Sequence, residues 1–398
     1  MRQDYYVRKK DGTITVRVVC VIVFLLFSFC WLYWFQTDML AVAQHGLSGG
    51  KTHYSRLWGA LIITGVLFVL HLIVYAFTRL SRRTHALTYL PPFLLLAFIS
   101  SVSYPFCWGA WLWAAPLVLA LWVGCVMLAK KVYPFGNNNK QRTGFFSRRM
   151  WLNMLQMTVM MLGVAAVSNT NAVSHFKAHA EVALMQGDID EALRVGERSL
   201  ETDESLTMLR IFALAQQGQL GSRLFEYPVV GTSRDMLPLL GSKGRISLMS
   251  DTLLWDFFGV RPDSIAARTD TLGQPLAISG SQLSISQYLD SLEHDTLATA
   301  AFREYRLAGM LIDRKLDAFV SSLSRCYPLC ADSLPRHYRE ALVLYQQRCD
   351  TTFGYSDSLM LLRWHEYARY DTIYSQKVER KLRSEDDFRG TYWYYFEN

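Results

Sequence analysis

The chain has 398 residues and a net charge of +7, with 51% hydrophobic and 14% aromatic residues, which is too long for one ordinary core. The charge divides sharply: residues 1–169 hold 16 basic groups against Asp4, Asp11 and Asp38, for +13, while residues 170–398 hold 25 basic and 31 acidic groups, for −6. A basic excess confined between apolar runs excludes a nucleic-acid-binding surface, which needs a basic face on a soluble domain, and points to membrane topology signals instead.

A bilayer is spanned by about 20 apolar helical residues. Five runs approach that length. Val18–Phe35 carries no charge and ends in aromatics suited to the interface. Leu57–Phe77 is uncharged and contains one imidazole, His71. Leu87–Tyr104 opens with Pro91-Pro92, which a first helical turn tolerates. Trp108–Ala129 is rich in Trp, with Pro116 as a kink. Trp151–Val167 is the shortest and richest in Met. Five such runs in about 150 residues leave no polar surface to cover them, so they are membrane helices rather than core helices.

The loop charges orient the bundle. Fourteen Lys and Arg precede the first run or separate the second from the third and the fourth from the fifth. The alternate loops carry only Lys51 and Arg56. This positive-inside bias places the N-terminus in the cytoplasm and, after five crossings, residues 170–398 outside. The loss of one crossing reverses that side, and Trp151–Val167 is the run on which it hangs. The basic start and Ala41-Val42-Ala43 also read as a signal peptide with a cleavage site, with the same downstream topology.

Several segments invite chemistry. Gly46–Thr52 (GLSGGKT) has three residues between its first Gly and the Gly-Lys-Thr where a phosphate-binding loop needs four, so no nucleotide is expected. His71 lies at a depth where ionisable groups mark proton or ligand paths, but no Asp or Glu occurs in any run to partner it. His45 and His53 flank the first outer loop with Asp38 nearby, without a recognised metal spacing. Cys326, Cys330 and Cys349 fall in the region placed outside, where one disulfide among the three can form.

Beyond Val167 the composition changes. Phe176–Thr202 repeats apolar positions at helical spacing on both sides of Gly187, with Asp188 able to cap a second helix. Phe176, Ala180, Gly187 and Ala192 resemble a tetratricopeptide repeat, although Gly196 and Glu204 depart from its consensus. Gln217-Gly218-Gln219-Leu220 echoes Gln186-Gly187-Asp188-Ile189, 31 residues later. A third helix pair spans Ala298–Ser324, and Leu334–Arg348 is a further helix with Pro335 at its start. Residues 226–298, rich in Ser, Gly, Asp and Thr, read as an irregular insert with short helical runs at Thr252–Phe258 and Ser286–Leu292. The aromatic Thr391–Phe396 is expected to pack on the helical array or at the membrane interface.

The phrases LPRHYREALVLY (Leu334–Tyr345) and FRGTYWYY (Phe388–Tyr395) resemble an uncharacterised family of bacterial inner-membrane proteins with tetratricopeptide-like C-terminal regions. The resemblance implies a multi-pass protein of the inner (cytoplasmic) membrane with its soluble region in the periplasm. It brings no catalytic residues, metal or cofactor to carry over.

The expected architecture is all-α. About five transmembrane helices (18–35, 57–77, 87–104, 108–129 and 151–167) form the membrane domain 1–169, and a soluble tetratricopeptide-like helical-repeat domain follows at 170–398. The expected role is a membrane-anchored scaffold whose partners are the lipid bilayer and a protein or peptide, with no nucleic acid or nucleotide. Two alternatives carry residues of their own. A multi-pass transferase using a lipid-linked donor would depend on Asp38, His45 or His53, and a transporter subunit would depend on His71.

Overall fold

The computed structural model describes residues 2–48, 51–81, 84–101, 111–132, 148–236, 257–258, 299–329, 333–349 and 355–398, with side chains described except at 2–15 and 349. All of the regular secondary structure among them is helical. The chain forms two compact units, Met1–Asn171 and Ala172–Asn398.

The first unit holds α1 (Arg2–Cys30, continued by a π-helical turn Trp31–Phe35), α2 (Thr37–Ser48) and α3 (Arg56–Thr78). A 3₁₀ turn, His85–Tyr89, leads into α4 (Leu90–Ser100), followed by α5 (Trp111–Val132) and α6 (Arg148–Val167). Among the described residues, four helices are long and apolar enough to cross a bilayer: Val16–Phe35, Arg56–Thr78, Trp111–Val132 and Arg148–Val167. The third predicted run is the exception. Pro91 and Pro92 lack amide hydrogens and fit a helix only in its first turn, so α4 starts at Leu90 behind the 3₁₀ turn. The five residues of that turn and the eleven of α4 span roughly 26 Å, short of the roughly 30 Å hydrocarbon core. The short member is therefore the third run, whereas the fifth is a full 20-residue helix.

Each long helix buries one stripe and leaves the rest open. In α1 the stripe is Cys20, Phe24, Ser28 and Leu32; in α3 it is Ala60, Thr64, Leu67, His71 and Thr78. Val18, Ile22, Leu26, Ile62, Val66 and Val69 face outward on the same helices. Such apolar outer faces would be insoluble in water and suit lipid, while small residues such as Ala60, Ala86 and Ala97 let the helices approach closely.

The second unit begins with three helical hairpins: α7 (Ala172–Gln186) with α8 (Ile189–Arg194), α9 (Glu204–Gln216) with α10 (Leu220–Arg223), and α11 (Ala300–Ile312) with α12 (Leu316–Cys326). All three close identically. The amides of Gly187, Gly218 and Arg314 bond back three residues, and those of Asp188, Gln219 and Lys315 bond back five, at 2.9–3.1 Å. This is the Schellman closure, which requires left-handed backbone at the turn, and the φ values there are 78°, 65° and 60°. Glycine adopts it freely; Arg314 is held in it by donating to the Tyr395 carbonyl (2.9 Å).

The second helices of the first two hairpins have only six and four residues, a departure from a regular tetratricopeptide unit. Gly196 supplies the reason in the first. It is left-handed (φ 63°), and a Cβ there would lie 2.9 Å from the Phe176 ring. The buried Arg210 guanidinium donates to the carbonyls of Val195 (3.3 Å) and Gly196 (3.1 Å), closing the C-terminal end of the hairpin just where the repeat consensus would continue the helix.

Four more helices follow among the described residues: α13 (Arg336–Cys349), α14 (Ser358–Ile373), α15 (Lys377–Phe388) and α16 (Tyr392–Glu397). Most of the predicted insert, including Ser286–Leu292 and nearly all of Thr252–Phe258, lies outside the described residues. Phe258 is described, and it is buried edge-on against Tyr305.

Candidate functional site

Two of the sequence candidates, Asp38 and His45, stand at opposite ends of one helix. Asp38 stands in the first turn of α2 and His45 in its last, about 10 Å apart along the axis. These are the ends where an acid and a base respectively favour the helix dipole. His53 is exposed beyond the helix.

His71 is different, because it is buried in a cluster of rings. Tyr89 stacks on it at 3.8 Å with planes 9° apart, and His85 meets it edge-on at 5.9 Å. The Thr88 hydroxyl donates to the His85 carbonyl (2.7 Å) and lies 3.4 Å from His71 Nδ1. Tyr75 packs edge-on against His85 at 5.3 Å, and the Arg17 guanidinium covers Tyr75 at 4.9 Å. Asn153 of α6 accepts from the Ala86 amide (2.8 Å), which fixes the 3₁₀ turn that presents His85 and Tyr89. The Tyr89 hydroxyl is buried with no partner. Sequence reasoning missed His85, which sits next to a charged loop. The available signal was the apolar stretch Ala86–Leu90 continuing directly into Pro91. No group of three His, Cys, Asp or Glu among the described residues could hold a metal ion.

A second polar centre lies in α13. Glu340, fully buried, accepts from Arg336 Nε (2.9 Å), His337 Nδ1 (2.9 Å) and the Tyr392 amide (2.7 Å), while its carbonyl accepts from the Trp393 indole (2.7 Å). Burial raises its carboxyl pKa, but the His337 hydrogen bond, Arg336 and the Tyr392 amide outweigh burial and hold it below the ordinary value. A His–Glu pair has the composition of a catalytic dyad. Here, however, His337 Nε2 accepts from the Phe225 amide (3.3 Å), so Nδ1 carries the proton toward Glu340 and no nitrogen is left for a substrate. The pair is a structural lock, and it joins the phrase Leu334–Tyr345 to the phrase Phe388–Tyr395. The aromatic C-terminus packs on the helical array, as expected, with Tyr392 and Trp393 fully buried.

The third feature is an open face. In the second unit large exposed aliphatics gather on α14 and α15: Leu359, Leu362, Ile373, Val378 and Leu382 are between 60% and 78% exposed. Beside them lies a groove of about 570 Å³ lined by Arg363, Glu366, Arg369, Tyr374 and Asp387 among others. Tyr370, hydrogen-bonded to Asp387 (2.8 Å), helps tie the two helices together.

Of the three cysteines in the second unit, Cys326 is exposed with a free thiol. Cys330 and the Cys349 side chain lie outside the described residues.

A family model described as a family of unknown function (DUF6057) matches residues 265–397, a third of the chain. The matched segment contains the third hairpin, the Glu340 lock and the open face. No curated protein and no solved structure matches the chain.

Proposed function

We propose that this chain is a membrane-anchored helical scaffold that seats a partner on the outer face of α14 and α15. One observation carries the reading: five of the eight large exposed apolar side chains described in the second unit lie on the α14–α15 hairpin, and they are its most exposed. Exposed patches of this kind mark interaction surfaces. The anchor lies in the cytoplasmic membrane with its basic loops inside. The side of the second unit then follows from α4: counted as a crossing it gives five and places the unit in the periplasm, and not counted it gives four and places the unit in the cytoplasm. Cysteine-accessibility labelling at Ser321 in sealed vesicles reads that side directly.

A photo-crosslinking residue at Leu362 or Leu382 should give a discrete adduct in native membranes, and one at the exposed Ser321 should not. Equal labelling from all three positions removes the reading. The His71–His85 cluster favours a second reading, a subunit that carries a proton or small ligand through the bundle. It requires flux in liposomes that His71→Ala abolishes. A transferase receives no such support, since Asp38 and His45 occupy opposite ends of one helix.

A further inference from the structure

The exposed face of α14 has a pattern of its own. Leu359, Leu362, Glu366, Arg369 and Ile373 follow one another at intervals of three, four, three and four residues, so they form one stripe along the helix. This is the spacing of the seam in a coiled coil, in which every a and d position faces a partner helix. All five are exposed, and neither Glu366 nor Arg369 has an ion-pair partner among the described residues, although they lie one turn apart.

We propose that this stripe pairs with the same stripe on a second copy of the chain, the two α14 helices running antiparallel about a two-fold axis. The proposal rests on the reading of this face as a partner seat and names the partner. The charges select the direction. In a parallel pair Glu366 would face Glu366 and Arg369 would face Arg369, two like-charge contacts. Run antiparallel about the midpoint between residues 367 and 368, Glu366 of each copy faces Arg369 of the other. The same register sets Leu362 against Ile373 on both sides. Leu359 then falls opposite the turn leading to the other copy's exposed Val378. One register satisfies the two ion pairs and both aliphatic contacts, which is the self-complementarity that a two-fold interface requires.

The mixed charge at the centre of the stripe also disfavours a lipid surface, which would call for basic residues flanking the apolar ones. A single helix pair buries less than the roughly 1,600 Å² of a standard interface. Anchoring offsets that deficit, because two copies held in one membrane meet in a plane at high effective concentration.

The test uses the full chain in lipid nanodiscs, with mass measured by light scattering, and charge reversals at exposed positions that leave the fold alone. Wild type should be dimeric. Glu366→Arg and Arg369→Glu should each lose the dimer, because each sets like charges against one another twice. The double exchange Glu366→Arg with Arg369→Glu should restore it, and mixing the two single variants should give heterodimers. A dimer that survives both single reversals overturns the proposal. A monomeric wild type overturns it too, and cross-linking then separates the two readings. If Leu362 still yields an adduct with a different protein, the face remains a seat for another partner. If it yields none, the partner-seat reading falls as well.

Discussion

His71 and His337 are both buried imidazoles on helices, yet their surroundings differ in kind. The His337 ring and the Glu340 carboxylate are both answered: Glu340 takes Arg336, the ring and a backbone amide, and the far ring nitrogen takes the Phe225 amide. Around His71 the described neighbours are rings, a threonine and a second histidine, with no carboxylate among them, and the Tyr89 hydroxyl has no partner among the described residues. A fully satisfied buried network specifies one packing, whereas an unsatisfied one stores the capacity to take a ligand or a proton. The composition of the two sites is similar; their hydrogen-bond completeness separates architecture from candidate function.

The comparison breaks most visibly at Glu340. Glu340→Ala strands the buried His337 Nδ1–H and the Tyr392 amide, and chemical denaturation should show a loss of about 3–5 kcal/mol. Release of α16 to protease should accompany it. A loss below about 1 kcal/mol would mean that the network is not the lock of this unit.

The same site carries a pH dependence. The folded Glu340 carboxyl titrates below its ordinary value. Its stabilisation is therefore complete above the unfolded pKa of about 4.3 and is lost as pH falls through the lower folded value. The melting-temperature gap between wild type and Glu340→Gln should hold at neutral pH and close as pH falls below about 5, and a gap that widens there contradicts the assignment.

A smaller effect tests why the first hairpin is cut short. Gly196→Ala forces a left-handed alanine against Phe176 and should cost about 1–3 kcal/mol in a thermal or chemical melt.

Two tyrosines then sharpen the contrast directly. Tyr338 donates to the Glu304 carboxylate at 2.5 Å, so Tyr338→Phe should cost about 1.5–3 kcal/mol. Tyr89→Phe removes a hydroxyl that has no protein partner and should leave stability within about 0.5 kcal/mol of wild type. A large loss there would show that the hydroxyl serves a bound group. Smallest of all, Leu362→Ser should not move the melt while abolishing the cross-link from a probe at Leu382.

Much of the architecture was legible because it follows from local rules. The apolar runs needed only a count of uncharged residues, and Gly187, Gly218 and Pro335 mark a turn or a helix start by their own backbone chemistry. What was not legible depended on distant neighbours. The brevity of α4 came from Pro91-Pro92 pushing the helix start to Leu90, a signal that was visible but assigned to a longer span. The truncation of α8 needed Arg210, sixteen residues past Arg194, to reach back to its carbonyls. The α14 seam was written in its heptad spacing, but only burial distinguishes such a stripe from a core-facing one.

By itself the sequence determined that the chain is helical throughout its regular structure, carries apolar helices of bilayer length in its first part, and turns at named glycines. These properties arise from hydropathy, charge and φ preferences that act within a few residues. Only the tertiary structure decided that His85 joins His71, that Glu340 grips the C-terminal aromatics, and that α14 shows its aliphatic stripe to the outside. Each of those depends on which side chains are brought together or left uncovered across tens to hundreds of residues, and hydrogen-bond completeness and burial belong to that arrangement rather than to any local stretch of chain.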